Sequence, residues 1–395
     1  MSASEELIAL TMYDDPPMMG ANSFLRRLQA ERPVIRVQTP AGDEAWLVTR
    51  HAEIRKLLLD PRLGRSHPDP GNAPKYVDNP MMDYMRLEFD FASEPEVHHQ
   101  HRVLLAPYFS SRNMGALQPW VARTVDEAVA RLAAQAPPVD VHSQFSQPLT
   151  AQILGEMFGV PSEDRATFPA LLHQASAVAD MQHAASGRDT LLGYFRGLAA
   201  RKRAEPGEDV LSGMTREGTD EECASMAVGL LFAGYGSASV QTTFGIARIA
   251  RDPVLRDRLA ANPGLVKSAV DEFLRTGGST GFIFPHYARE DIEIADITIR
   301  AGDLVLLNFG LANFDERAFP APDEVDITRS PNPHLTFAYG MWHCSGAPLA
   351  RLQLTMTFTA LLPALQTMRL AKPLEDMDGA PDYLSGGLTE LLVTW

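Results

Sequence analysis

Cys344 is one of only two cysteines in the chain, and it stands in a Gly-containing turn directly ahead of an apolar, helix-like run in PNPHLTFAYGMWHCSGAPLARLQL, residues 331–354. Backbone N–H groups and the positive end of that helix's dipole would face its sulfur. Such a setting, or a bound metal, pulls a thiol below its ordinary value of about 8.5 and gives the anion that a metal-ligating sulfur must be. A buried cysteine before a helix is also a common inert packing element, so position alone does not decide its use. Two cysteines make no disulfide framework, and neither Cys344 nor Cys223 has the neighbours of a zinc ligand set.

Three other places combine residue types that do chemistry. Glu272 and Arg275, in VDEFLRT, are three apart, so on a helix they share a face and can form a charge-assisted pair. The ordinary reading is a solvated surface pair worth about a few tenths of a kcal/mol. His98 and Arg102, in EPEVHHQHRVLLAPYFS, are four apart and can together reach anionic carboxylates. The plainer reading is a surface basic cluster; a zinc site using His98 with His99 or His101 lacks an acidic or third histidine ligand at a fitting spacing. In FAGYGSASVQ, residues 232–241, Gly234 permits a helix to kink or open, and Ser237 offers a hydroxyl next to Gly236. The alternative is that Gly236 and Ser237 only pack.

The elements that must position these residues follow from periodicity. PVIRVQ and EAWLVTR alternate apolar and polar residues about a turn at Pro40 to Gly42, which predicts a β-hairpin. HAEIRKLLLDP predicts a helix stopped by Pro61. Residues 64–92, rich in Pro, Asp and Met with little periodicity, predict a long irregular loop of the kind that is usually functional or mobile. From about 97 to 270 the three-and-four spacing of apolar residues predicts a mainly helical body. Its longest run, Glu221 to Ala250, is preceded by Thr219, which with Glu222 has the spacing of a capping box. It is nearly all apolar or small from Ala224 through Gly234, which predicts a helix buried on most sides. After Arg275, IEIADITIRAGDLVLLNF has β-branched alternation and residues 312–336 read as Pro- and Asp-rich loop. A last helix from near Ala347 to about Gln366, bent at Pro363, precedes a β-like tail, LTELLVTW. With no repeat and no linker in the later part, one domain over residues 1–395 is expected.

Composition narrows the partners. A chain with 45% hydrophobic and 22% charged residues is an ordinary globular mixture, able to bury a large core. A formal net charge of −15 argues against nonspecific binding of nucleic acid or anionic membrane, and a small neutral or apolar ligand fits better. The opening residues, MSASEELIALTMYDDPPMMG, lack a basic start and an apolar run, and no stretch reaches about 18 uninterrupted apolar residues, so a cytoplasmic protein without a membrane span is expected.

Phe337, Gly340, Cys344, Gly346, Leu349, Ala350 and Arg351 stand in the register of a known motif: the segment resembles the cysteine-ligand loop of the cytochrome P-450 family, usually FGxGxHxCxG followed by xxLAR. The resemblance implies a mainly α, triangular-prism fold with small β-sheets. It implies haem b (iron protoporphyrin IX) as cofactor and Cys344 as the sulfur ligand of its iron, with Gly340 and Gly346 letting the backbone approach the flat macrocycle. Ala338 replaces the loop's first glycine, a small change, and Trp342 replaces the basic residue that usually bonds a haem propionate. That role is not transferred to His343, because one step along a turn points a side chain elsewhere. Glu272 and Arg275 match the family's ExxR, and Arg329, in FPAPDEVDITR, looks like the arginine that closes them into a three-residue structural network. His98 and Arg102 match the HxxxR whose side chains reach the propionates, and His286, in FPHYARED, stands where an arginine usually does the same.

The same resemblance makes FAGYGSASVQ the oxygen-activating helix stretch, normally AGx(D/E)T(T/S), with Ala233 and Gly234 agreeing. Gly236 replaces the acid and Ser237 the alcohol. Dioxygen activation needs protons that an acid and a hydroxyl ordinarily relay. Two chemistries therefore follow: oxidation of a small secondary metabolite with substrate groups and waters completing the relay, or oxidative cyclisation or C–C or C–N coupling of an aromatic natural product, such as a cyclic dipeptide, without oxygen insertion. A non-catalytic haem or ligand carrier is the third reading. Pocket-lining positions implied are the 64–92 loop, the region near 168–200, Gly234, Ser237, the run Gly281 to Phe284 with Phe282, and Gly387 with Leu388. No GxGxxG loop follows a strand, so electrons would come from outside, and the resemblance implies a ferredoxin and its NAD(P)H-dependent reductase as their source. Arg112 and Arg351 are the expected basic patch for that acidic partner.

Overall fold

The computed structural model describes residues 7–10, 19–87, 90–277, 283, 285–364, 366–379, 384 and 387–395. Their backbone contacts form two compact units: Met1–His99 with Arg275–Val325 and Pro331–Cys344, and Gln100–Leu274 with Asp326–Ser330 and Ser345–Trp395.

The first unit is built on a six-stranded sheet in the order Ile8–Ala9, Val34–Gln38, Glu44–Val48, Leu304–Leu307, Pro285–Ala288, Leu63–Gly64. The predicted hairpin is present, antiparallel, with Val34 opposite Val48 and Gln38 opposite Glu44. Alternation sets its faces: Ile35 and Val37 are buried, Arg36 and Gln38 exposed. Leu304–Leu307 is hydrogen-bonded on both edges and all four of its residues are buried, which is why it reads as a continuous apolar run. Ile292–Ile294 and Ile297–Ile299 form a separate hairpin, turned by Ala295 and Asp296 with φ of 51° and 61°, the two-residue geometry that matches strand twist. The helix His51–Leu58 lays Ile54, Leu57 and Leu58 into a core shared with Val305, Leu307 and Trp342.

One expectation is corrected here. The stretch 64–92 is not irregular throughout, because Pro80–Leu87 is helical. Asn79 Oδ1 accepts from the backbone N–H of Met81 at 2.8 Å and of Met82 at 3.2 Å, so an Asn cap followed by a proline in the first turn nucleates a helix where hydrophobic period is weak. The segment 313–336, by contrast, holds no helix or strand among its described residues.

The second unit is helical, with one small sheet. Asp220–Arg251 is capped as predicted: Thr219 Oγ1 accepts from the Glu222 N–H at 3.2 Å, and the Glu222 carboxylate accepts from the Thr219 N–H at 2.7 Å. This helix packs on Met181–Ala204 and Gln147–Met157, and Ala347–Ala364 packs on Ser111–Ala133. It is long and apolar enough to cross a membrane, with a window of mean hydropathy 1.4, yet half of that window is buried inside the fold. Val139–Asp140 interrupts the helical stretch to pair with Leu392–Thr394, which pairs on its other edge with Arg369–Leu370. Pro363 lies inside the last helix, Ala347–Ala364.

Candidate functional site

The Cys344 loop belongs to the first unit and is shaped by two left-handed residues. Ala338 has φ 55° and Gly340 φ 62°. At Gly340 glycine is required twice over, since a Cβ would lie 2.9 Å from Leu59 Cδ2 and 3.2 Å from Leu58 O. The turn itself and close packing on Leu58 and Leu59 thus call for glycine at this position. At Ala338 the expected small change is larger than it looks: a Cβ in the left-handed region costs roughly 1–2 kcal/mol. The loop is then closed by the Cys344 N–H donating to Phe337 O at 2.8 Å and the Ala338 N–H to Leu335 O at 2.8 Å. Cys344 is exposed. His343 is exposed too, its ring 6.5 Å from that of Phe337.

Trp342 turns the other way, into the unit. It is 5% exposed, and its indole Nε1 has no hydrogen-bond partner among the described residues. The His98 ring lies 4.6 Å from its ring, the His286 ring 5.7 Å away and edge-on, and the Arg65 guanidinium carbon 4.8 Å over its face. Each of these neighbours has its own anchor. His286 is a strand residue opposite Val305. Arg65 is held through its backbone by buried Glu94, which accepts from the Arg65 N–H at 2.6 Å, the Ser66 N–H at 3.2 Å and Arg289 Nη1 at 2.8 Å. Glu94 opens the helix Glu94–Leu105 that carries His98 one turn later. Four sequence-distant segments thereby bring two imidazoles, a guanidinium and an indole N–H together. Arg65, Glu94 and Arg289 were not legible as site residues, since none belongs to a local motif.

In the second unit, the long helix has one open lane. Ala233 and Ser237, four apart, are exposed in the middle of a helix whose Tyr235, Ser239 and Val240 are buried, and Gly234 and Gly236 are half-buried beside the lane. The helix runs unbroken through Gly234. The Ser237 hydroxyl donates to Ala233 O at 2.8 Å, which leaves its oxygen lone pairs as the groups presented to the lane. Leu388 is 2% exposed with its backbone bridged to Gly379, so it packs inside this unit. Phe282 and Phe284 lie outside the described residues.

Glu272 and Arg275 are structural in their contacts. Glu272 is buried and faces Arg329, whose Nε is 3.3 Å from either carboxylate oxygen. In the first unit, buried Arg275 donates to the carbonyls of Asn313 and Pro322 at 2.8 Å and of Glu324 at 3.1 Å. Arg102 Nη1 is 3.4 Å from Ser345 Oγ. One residue before it, burial holds His101 below its ordinary range. Arg351 is paired with Asp271 at 2.8 Å, while Arg112 is exposed.

Comparison with known proteins adds the identity of the fold. The family model described as Cytochrome P450 matches residues 198–375. The chain is 37% identical over 391 residues to pentalenolactone synthase of Streptomyces exfoliatus, covering 97% of this chain and 98% of that one. It is 35% identical to mycinamicin IV hydroxylase/epoxidase of Micromonospora griseorubida, over 93% and 94%. Among solved structures, substrate-free cytochrome P450 PimD, a polyene macrolide antibiotic pimaricin epoxidase, is 44% identical with a TM-score of 0.90, over 99% of this chain and 100% of that one.

Proposed function

This chain belongs to the cytochrome P450 family and is a haem-iron monooxygenase of secondary metabolism, and we propose that Cys344 would ligate the iron of a haem b, with His98, Arg102 and His286 as the side chains for its propionates. The residues fit such a group. Cys344 is exposed on a tight loop rather than buried as an inert packing element, and His98 and His286 bring N–H-bearing rings to one place. When bound, such a group supplies the centre at which dioxygen is activated, with a thiolate ligand enriching the iron in electron density.

The chain's own part is to hold, exclude and deliver. The open lane at Ala233 and Ser237 gives a ligand a wall of small side chains. The helix itself brings no carboxylate to that lane, because Gly236 occupies the acid's usual place, and the Ser237 hydroxyl is committed to Ala233 O. Proton delivery therefore needs waters or polar groups of the substrate, which can donate to the Ser237 oxygen.

The reading we favour is oxygen insertion into a small apolar or aromatic natural product, carried by that open lane. The missing acid is the specific observation favouring a second reading, oxidative cyclisation or coupling without oxygen insertion. Ferredoxin and an NAD(P)H-dependent reductase are the proposed electron donors, and the whole chain is read as one catalytic domain working in the cytoplasm. The test is turnover under isotopically labelled dioxygen with a substrate found by spin-state titration. Label in the product supports insertion, and unlabelled product with consumed oxygen supports coupling. Cys344→Ala should abolish the red-shifted carbonyl band of the reduced protein; if the band persists, the ligand assignment is wrong.

A further inference from the structure

Resting on the haem reading above, we propose that this chain replaces the missing basic contact ahead of its cysteine with a neutral one: the indole N–H of Trp342 donates to a carboxylate of the cofactor, and Arg65 supplies the compensating charge. The carrying observation is an unsatisfied donor. Trp342 Nε1 is buried with no acceptor among the described residues, in a side chain whose residue is 5% exposed. A buried N–H without a partner is costly enough that native sites rarely keep one, so an acceptor belongs there when the protein is loaded. Its surroundings choose the acceptor. The groups against the indole are the His98 and His286 rings and the Arg65 guanidinium, all N–H-bearing, so an anion is the complementary ligand.

The arrangement is also rigid, which a binding contact requires and a loose core tryptophan does not. Glu94 clamps the backbone on either side of the Arg65 side chain through the Arg65 and Ser66 N–H groups, and Arg289 braces that carboxylate at 2.8 Å. The Arg65 guanidinium is thereby kept over the indole face, where a cation stacks favourably. A neutral donor next to a stacked cation gives the carboxylate a hydrogen bond and a nearby charge from two different side chains, where one basic residue ordinarily gives both.

The test compares haem retention with and without the carboxylates. Trp342→Phe keeps the ring and removes only the N–H; each holoprotein is mixed with excess apomyoglobin and haem loss is followed by absorbance. With natural haem, Trp342→Phe is expected to lose the cofactor roughly tenfold faster, the size of one hydrogen bond to a charged group, and Trp342→His to recover most of the difference. With the dimethyl ester of the same haem, the two proteins should lose it at equal rates. Equal rates with natural haem, or an unchanged ratio with the ester, overturn the proposal. Should Trp342→Phe not fold, ultraviolet resonance Raman on the unsubstituted holoprotein decides: the indole N–H signature must shift between natural and esterified haem, and no shift sinks the contact. Failure of the haem reading is separate, since the purified protein would then take up no haem at all.

Discussion

Arg329 reaches across to Glu272 with its Nε 3.3 Å from both carboxylate oxygens, although the two stand far apart in the chain. Glu272 is fully buried and also accepts the Asp326 N–H at 3.0 Å, so one carboxylate fixes both the cation and the backbone that carries it. Inside a protein such a pair matters less for what it adds than for what its loss leaves behind.

Glu272→Ala or Arg329→Met should each lower stability by about 3–5 kcal/mol, because either strands a buried charge. The double variant Glu272→Met with Arg329→Met should recover much of that. Denaturant midpoints check this, and a single variant unfolding at the parent midpoint would show that the pair carries no structural weight.

Ala338→Gly should raise stability by about 1 kcal/mol, since φ 55° is a conformation glycine adopts without a Cβ penalty, even though glycine also gains freedom in the unfolded chain. Ala338→Val should do the opposite. A fall in melting temperature on the glycine substitution contradicts the strain argument.

Gly245→Ala should destabilise by about 1–3 kcal/mol, because a Cβ there collides with the Phe358 ring between two packed helices. Phe358→Leu in the same chain should restore part of the loss. Additive losses in the double variant would mean the two positions do not share that space.

Stability should decline on acidification below about pH 6.5, in part through His142. Burial holds its imidazole below the ordinary range, opposed by nearby Asp140 and reinforced by His173. The ring lies 2.9 Å from Thr243 Oγ1 and 3.1 Å from Gln147 Nε2. As pH falls through the unfolded value, the unfolded chain takes up a proton that the folded one refuses, so stability is full above that pH and lost below it. His142→Gln should flatten this slope in thermal melts, and an unchanged slope would exclude His142 as its source.

Much of the frame was legible because short-range rules suffice for it. Alternation and a Pro40 to Gly42 turn gave the hairpin, and Thr219 with Glu222 gave the start of the long helix. The helix Pro80–Leu87 was missed although its signal was present: Asn79 followed by Pro80 is a cap and a first-turn proline, and periodicity alone could not find it. At the site, Cys344 was legible from its loop, whereas Arg65 becomes a neighbour of Trp342, and Glu94 of Arg65, only through sheet and helix packing, which one sequence does not encode locally. Two of the implied pocket residues, Phe282 and Phe284, lie outside the described residues, and Leu388 is packed inside its unit.

Arg275 has a consequence for engineering. Its planar fork fastens the carbonyls of Asn313, Pro322 and Glu324, three points along a stretch with no ladder of its own. Surface connections commonly accept extra residues because nothing fixes their length. Here one residue added between 313 and 322 would displace a carbonyl by about 3.8 Å and leave the buried guanidinium short of an acceptor. Fusion points and inserted tags therefore belong outside this stretch, whose count of residues is as strict as that of a paired strand.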